Sequence, residues 1–172
     1  MLRTFIRGVL SEIKTEKTKL DVFDFDSTLF NSPAPPASWD KPRGHWYYDP
    51  ASLSVDLIGD GSDFWNGGVV ADAEISLVDP KSLTILLTGR VQKNFDAIVK
   101  DLVEGIGLNF DYVKLSPGGS VQKFKTGEVK NILMLNPGIK TIEFWDDNEK
   151  YLFGYKKTFE EMGYEVLTNL IG

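Results

Sequence analysis

The amino-acid sequence predicts an α/β fold with a mostly parallel central sheet, because strand-like and helix-like segments alternate along its second half. QKNFDAIVKDLVEGIGL (residues 92–108) carries apolar residues at helical spacing, and YLFGYKKTFEEMG (151–163) ends in a glycine, as helices often do. A sheet wound in this way carries helices on both faces, which predicts a three-layer sandwich. Four short runs have the apolar character of buried strands: SLTILLTGR (82–90), FDYVKLSP (110–117), KTIEFWDDNE (140–149) and YEVLTNLI (164–171).

The first half of the sequence adds one strand and a less regular segment. LDVFDFD (20–26) is the first strand, and residues 31–80 are rich in proline, glycine and aromatic residues. This composition predicts an aromatic-rich, cap-like insertion of short strands or turns within a single domain spanning residues 1–172. Residues 126–136 are predicted to form a helix with Thr126 as its N-cap. Residues 1–17 have helical apolar spacing, which favours a helix packed on the domain over an organelle-targeting segment.

The overall composition excludes several kinds of site. The 172 residues include no cysteine and one histidine, His45, so thiolate catalysis, Cys-containing zinc sites and multi-His metal sites are ruled out. Acid–base chemistry therefore falls to carboxylates. A net charge of −6 argues against an extended nucleic-acid surface. No apolar run approaches the length of a membrane span, so we expect no membrane partner and a cytoplasmic location.

Polar residues lie at the predicted carboxyl ends of the strands, which is where ligands bind in parallel sheets. Strand alternation aims Asp24 and Asp26 in one direction and Asp21 in the other. Converging carboxylates repel one another unless a cation lies among them, and an all-oxygen ligand set favours Mg²⁺, with phosphate oxygens completing its shell. The residues brought to this edge are Asp24, Asp26, Thr88, Gly89, Arg90, Lys123, Lys125, Asp146 and Asp147.

The motifs that these residues form resemble those of the haloacid dehalogenase (HAD) superfamily of aspartate-nucleophile phosphatases. DVFDFDSTLF (21–30) resembles the D-x-D-x-T motif, LLTGR (86–90) the second motif, a lysine in VQKFKTGEVK (121–130) the third, and EFWDD (143–147) the acidic fourth. FDFDSTLFNSPAPP, the tryptophan-containing insertion and the later motifs are similar to the HAD-type domain of Swiss Army Knife RNA repair proteins. The resemblance implies a HAD-type Rossmann-like fold.

The resemblance also implies a role for each matching residue. Asp24 would be the nucleophile that forms an aspartyl-phosphate, and Asp26 the general acid/base. Thr88 and Lys125 would bind the transferred phosphoryl group, with Lys123 as the alternative lysine. Mg²⁺ would be held by Asp24, Asp26 (through its backbone carbonyl), Asp146 and Asp147. Further substrate contacts would come from Ser27, Thr28, Gly89 and Arg90.

The expected substrate is a nucleotide, a nucleic-acid phosphate end or another small phosphate ester. The alternative from a different functional class is a catalytically quiet HAD-like module that binds a phosphorylated ligand or a protein partner. Simpler interpretations exist for single motifs: Asp146 or Asp147 could cap the following helix, and the tryptophans could form the insertion's own core or a base-stacking platform. The order and number of the motifs favour the phosphatase.

Overall fold

The computed structural model describes residues 16–172. The predicted N-terminal helix lies outside the described residues. The sheet has five strands, and every neighbouring pair is parallel, in the order β3-β2-β1-β4-β5. The strands are β1 (Lys19–Phe23), β2 (Ser82–Val91), β3 (Tyr112–Ser116), β4 (Thr141–Asp146) and β5 (Glu165–Leu170). The predicted α/β class and the parallel sheet are confirmed.

Helices cover both faces of the sheet, as the continuous apolar character of the strands requires. The α-helices are α1 (Val55–Ile58), α2 (Gly67–Val78), α3 (Gln92–Gly105), α4 (Val121–Leu135) and α5 (Glu149–Glu161). Leu20 and Val22 of β1 belong to a core with α4 and α5, whereas Phe23 belongs to a second core with α2 and α3. Alternate side chains of one strand therefore serve opposite layers, and the architecture is a three-layer sandwich.

The order of the strands reverses between β1 and β4. From β1 the chain proceeds outward through β2 to β3, then returns to the other side of β1 for β4 and β5. Phe23 of β1 pairs with Trp145 of β4, so the ends of these two strands are level with one another. In parallel sheets a crevice opens at such a reversal, outside the carboxyl ends of the strands. The residues that follow β1 and β4 therefore meet there.

The segment between β1 and β2 contains the turns, and not the short strands, of its prediction, and it also contains helices. Residues 31–80 contain no strand element; they form 3₁₀ helices at Arg43–Tyr48, Pro50–Leu53 and Ser62–Phe64, together with α1 and α2. Helix α2 packs through Val69 and Ala73 on the sheet, so it is the ordinary crossover between two parallel strands. The irregular part thus ends at residue 66, before this crossover.

Helix α4 also begins earlier than predicted. It starts at Val121, where the Ser120 side chain accepts a hydrogen bond from the Lys123 backbone N–H, and Thr126 lies inside the helix. Gly118 and Gly119 have φ values of 113° and 85°, a backbone that glycine adopts readily and that turns the chain just before Ser120. The prediction of Thr126 as N-cap was therefore wrong. Ser120 and Thr126 are both good N-cap residues. The turn at Gly118 and Gly119 decides that the helix begins after Ser120.

Candidate active site

A cleft of about 480 Å³ lies at the strand reversal. Residues Asp24, Asp26 and Ser27 enter it from the turn after β1, and Asp146 and Asp147 enter it from the end of β4. The structure thus brings together eight of the residues selected from the sequence: Asp24, Asp26, Ser27, Gly89, Arg90, Lys125, Asp146 and Asp147.

Asp24 reaches the cleft from the first position after β1. Its backbone N–H donates to the carbonyl of Trp145 at 2.9 Å, so the pairing with β4 continues one residue beyond the strand. The Lys125 Nζ atom lies 2.7 Å from Asp24 Oδ1 and 3.0 Å from Asp146 Oδ2. Lys125 is buried, whereas Lys123 on the same helix is exposed. The geometry therefore brings Lys125, and not the alternative Lys123, between the two carboxylates.

Three carboxylates form a group that fits a hard cation. Asp24, Asp146 and Asp147 each offer a carboxylate oxygen, and these oxygens lie within 4.8 Å of one another. Asp26 is not part of this group within the described residues, and only its backbone carbonyl was expected to contribute. An all-oxygen donor set of this size suits Mg²⁺, which is typically held by one or two carboxylates together with water and substrate oxygens. The residues present therefore fit the expected metal.

The pKa values of these groups are shifted first by desolvation and then by the charges of their neighbours. Burial raises the pKa of Asp24 to about 7, and the neighbouring Asp146 and Asp26 add to this effect against the lowering influence of Lys125. Burial alone would lower the pKa of Lys125, but Asp24 and Asp146 raise it above its usual range. Partial desolvation raises the pKa of the solvent-exposed Asp147, and the neighbouring Asp146 adds to this effect. One lysine therefore compensates the carboxylates only in part.

Asp26 lies in a turn beyond β1, so strand alternation does not explain its direction. Ser27, the next residue, has a φ of 56°, a left-handed conformation that is uncommon for a residue other than glycine. This turn places Asp26 beside Arg90, whose Nη2 and Nε atoms lie 2.6 Å and 2.9 Å from Asp26 Oδ1. The Ser32 hydroxyl donates to the same oxygen at 2.5 Å. The Asp26 carboxylate is therefore held by a planar cation and a serine.

Thr88 and Thr28, both predicted site residues, lie behind the cleft. Thr88 is fully buried; its Oγ1 accepts a hydrogen bond from the Arg90 backbone N–H at 3.2 Å and lies 3.5 Å from Asp26 Oδ2. Thr28 is also fully buried, and its hydroxyl has no hydrogen-bond partner among residues 16–172. Neither side chain lines the cleft. Their predicted contacts with substrate stay predictions.

Several residues at the site were not predicted from the sequence. Tyr47, Tyr48 and Tyr151 line the cleft, and Tyr47 and Tyr48 come from the insertion. Tyr155 is buried beneath Lys125 and Asp146, and burial raises the pKa of its hydroxyl. Tyr151 and Tyr155 are four residues apart on α5, a spacing that places them on one helical face and could have indicated a shared position.

The simpler interpretations of the motifs can also be compared with the structure. Asn148, and not the acidic pair, caps α5, because its side chain accepts hydrogen bonds from the backbone N–H groups of Lys150 and Tyr151. The insertion's tryptophans contribute to packing: Trp46 is buried, and Trp65 packs edge-on against Phe30 at 5.0 Å between ring centroids. His45 lies outside the cleft.

A larger cavity, of about 900 Å³, lies elsewhere, between the insertion and α3. Its lining includes apolar residues such as Leu53, Ile58, Ile98 and Leu102, and it contains none of the motif residues. Size therefore does not identify the site, since the motif carboxylates and Lys125 line the smaller cleft. None of the helices in residues 16–172 is long and apolar enough to cross a membrane.

Comparison with known proteins gives a family match over most of the chain. Residues 37–169 match the family described as HAD domain family 1 in Swiss Army Knife RNA repair proteins. The match begins after Asp24 and Asp26. An uncharacterized protein of Saccharomyces cerevisiae is 23% identical in an alignment of 173 positions that covers 84% of this chain and 38% of that protein. The chain therefore spans less than half of this relative.

Solved structures share the fold at low sequence identity. A chain from the structure of the Pnkp1/Rnl/Hen1 RNA repair complex has a TM-score of 0.58 and 14% identity, over 94% of this chain and 45% of that one. The HAD domain of the effector protein Lem4 from Legionella pneumophila has a TM-score of 0.55 and 13% identity, over 90% of this chain and 86% of that domain. These similarities support the HAD fold.

Proposed function

Because the chain belongs to HAD domain family 1 in Swiss Army Knife RNA repair proteins, we propose that it is a Mg²⁺-dependent phosphohydrolase that acts through an aspartyl-phosphate. The observation that carries this proposal is one cleft in which Asp24 and Asp26 meet Lys125 and the acidic pair after β4. A buried carboxylate nucleophile, a second carboxyl group and a fixed cation are the groups that phosphoryl transfer to an aspartate requires.

In the first step, a carboxylate oxygen of Asp24 attacks the phosphorus atom. The bond between phosphorus and the ester oxygen breaks, and Asp26 gives its proton to that leaving oxygen. Lys125, already 2.7 Å from Asp24, donates to the phosphoryl oxygens as negative charge develops on them. The products are the free alcohol and a phosphorylated Asp24.

In the second step, the Asp26 carboxylate takes a proton from a water molecule whose oxygen attacks the phosphorus. The bond between Asp24 and phosphorus breaks, inorganic phosphate leaves, and Asp24 regains its carboxylate. Asp26 ends this step protonated, as the first step requires, so the cycle closes without another acid. The two carboxyl groups thus alternate between separate tasks.

The Mg²⁺ ion would be held by Asp24, Asp146 and Asp147, with the backbone carbonyl of Asp26 as a further ligand. Its chemistry when bound is charge neutralisation and polarisation of the phosphoryl oxygens. The cleft requires this ion for an electrostatic reason. The residues lining the cleft include four aspartates against the two cations Arg90 and Lys125, so a divalent ion balances the charge.

The substrate we propose is a nucleotide, a nucleic-acid phosphate end or another small phosphate ester. The family description and the RNA repair complex among the structural neighbours support the nucleic-acid end. The net charge of −6 favours recognition of one terminus over a long backbone track. A shallow salt dependence of binding is the expected consequence, since few phosphates are neutralised.

The experiment that tests the function is hydrolysis of a panel of phosphate esters, with and without Mg²⁺, by the wild-type protein and Asp24→Asn. We expect Mg²⁺-dependent release of phosphate by the wild type and a loss of ~10³-fold or more in the variant, because the amide is not a nucleophile. Circular dichroism checks that the variant stays folded. Full activity in Asp24→Asn would contradict the mechanism, and inactivity of the wild type across the panel would favour the phosphate-binding module.

A further inference from the structure

Arg90 is the most deeply buried charged side chain at the cleft, with 1% of its surface exposed. Its guanidinium carbon lies 4.7 Å from the centroid of the Phe95 ring and 5.9 Å from those of Phe25 and Tyr47. Because these aromatic rings enclose the guanidinium, it has little room to move toward a ligand in the cleft. This environment suits a fixed part of the site better than a group that grips substrate.

The donors of Arg90 are directed at the protein. Nη2 and Nε lie 2.6 Å and 2.9 Å from Asp26 Oδ1, and Nε lies 3.1 Å from Asp26 Oδ2. Nη1 donates to Ser52 Oγ at 2.7 Å, and Nη2 to Ser32 Oγ at 3.3 Å. The planar fork of arginine matches a carboxylate in two directions, which lysine cannot do.

The two serines connect this pair to the insertion. Ser32 lies at the start of the irregular segment and also donates to Asp26, and the hydroxyl of Ser52 donates to the Asp49 carbonyl at 2.8 Å while it accepts from Arg90. Ser52 is fully buried. The direction of Asp26 is therefore set by residues from β2 and from the insertion together.

We propose that Arg90 is the positioning residue for Asp26, and that the insertion, through Ser32 and Ser52, helps to fix that position. Arg90 acts through Asp26 and does not contact the substrate. This positioning role replaces the substrate-binding role that was expected for Arg90. The proposal rests on the proposed function, because it assigns Asp26 the proton transfer to the leaving oxygen.

The test compares two substrates that need this proton to different degrees. Hydrolysis of 4-nitrophenyl phosphate releases a stable phenolate, whereas hydrolysis of glycerol phosphate requires protonation of an alkoxide. In Arg90→Lys we expect kcat/KM for glycerol phosphate to fall by ~100-fold and kcat/KM for 4-nitrophenyl phosphate by less than ~10-fold. The ratio kcat/KM reports formation of the aspartyl-phosphate, before Asp26 acts as a base, and general acid catalysis contributes ~10²–10⁴-fold to that step. Asp26→Asn should likewise lose more activity with glycerol phosphate than with 4-nitrophenyl phosphate.

Two further variants keep the test decisive. Ser52→Ala removes one hydrogen bond to Arg90 and leaves the contacts of Asp26 in place. We expect a smaller difference between the two substrates, again with the larger loss for glycerol phosphate. Lys100→Ala removes a partly exposed ion pair on α3 and should leave kcat/KM for both substrates unchanged. If Arg90→Lys or Ser52→Ala reduces kcat/KM equally for both substrates, Arg90 serves the fold alone and the proposal is overturned. A wild type that hydrolyses neither ester contradicts the proposed function instead, so the two failures are distinguishable.

Discussion

The two ends of β1 contain similar groups and differ in what surrounds them. Near its start, Lys19 Nζ lies 2.9 Å from the buried Asp21 and 2.6 Å from Glu143 of β4. Just beyond its end, Lys125 lies between Asp24 and Asp146, again an aspartate next to β1 and an acidic residue of β4. Each end therefore places one lysine between two carboxylates.

The difference lies in access and in the number of carboxylates. Asp21 is fully buried and lines no cleft with the motif residues, and its lysine is partly exposed to solvent. Asp24 opens into the cleft, where the exposed Asp147 adds a third carboxylate that Lys125 does not contact within the described residues. An ion pair that is complete in itself is structural, whereas one with surplus negative charge and an opening can bind a cation and a phosphate.

The largest expected effect comes from removing the cation at the cleft end. Lys125→Met leaves Asp24 and Asp146 buried without their cation, and breaking a buried ion pair in this way costs about 3–5 kcal/mol of unfolding free energy. We also expect phosphatase activity to fall by ~100-fold, because the charge on the phosphoryl group loses a donor. Urea unfolding in EDTA and steady-state kinetics measure both effects.

Lys123→Met is the matched control, since it removes a lysine from the exposed side of the same helix. It should change stability by less than about 0.5 kcal/mol, as surface substitutions usually do. Equal effects of the two variants would contradict the assignment of Lys125 as the lysine of the site.

The comparison also indicates how far the sequence could predict the site. Asp24 and Asp146 were predictable because parallel strands bring their carboxyl ends to one edge, whatever the details of the loops. Lys125 lies inside α4 and not at a strand end, and its choice over Lys123 came from the resemblance to the family motif. Arg90 was selected for its motif, but its partner was not predictable. The contact with Asp26 joins residues that are 64 positions apart and depends on the left-handed turn at Ser27.

The insertion shows where prediction from the sequence stops. Its prolines and glycines predicted irregular backbone with short strands or turns. The 3₁₀ helices agree with turns, and residues 31–80 contain no strand element. The sequence did not indicate that Ser32 and Ser52 contact Arg90, because a serine in a loop most often faces water or its own backbone. Their role arises from tertiary packing around Arg90.

A smaller effect is expected from adding the metal. Mg²⁺ at ten times its dissociation constant should stabilise the wild type by about 1.4 kcal/mol, because binding to the folded state alone adds RT ln(1 + [L]/Kd). Thermal unfolding across a Mg²⁺ titration measures this shift. Asp147→Asn removes one carboxylate of the group and should reduce the shift, whereas a shift of the same size in that variant would contradict the proposed ligand set.

The smallest effect is expected at the start of β1. In Asp21→Asn, Lys19 keeps Glu143 as its partner. The substitution replaces a buried carboxylate by a neutral amide of the same shape, and this carboxylate accepts no well-directed hydrogen bond from the described residues. Loss of the ion pair and relief of burying a charge oppose one another, so the unfolding free energy should change by less than about 1 kcal/mol. Activity and the Mg²⁺-induced shift should stay at wild-type values. A large loss of activity would mean that the two ends of β1 are coupled, and that the distinction between a structural and a functional pair does not hold.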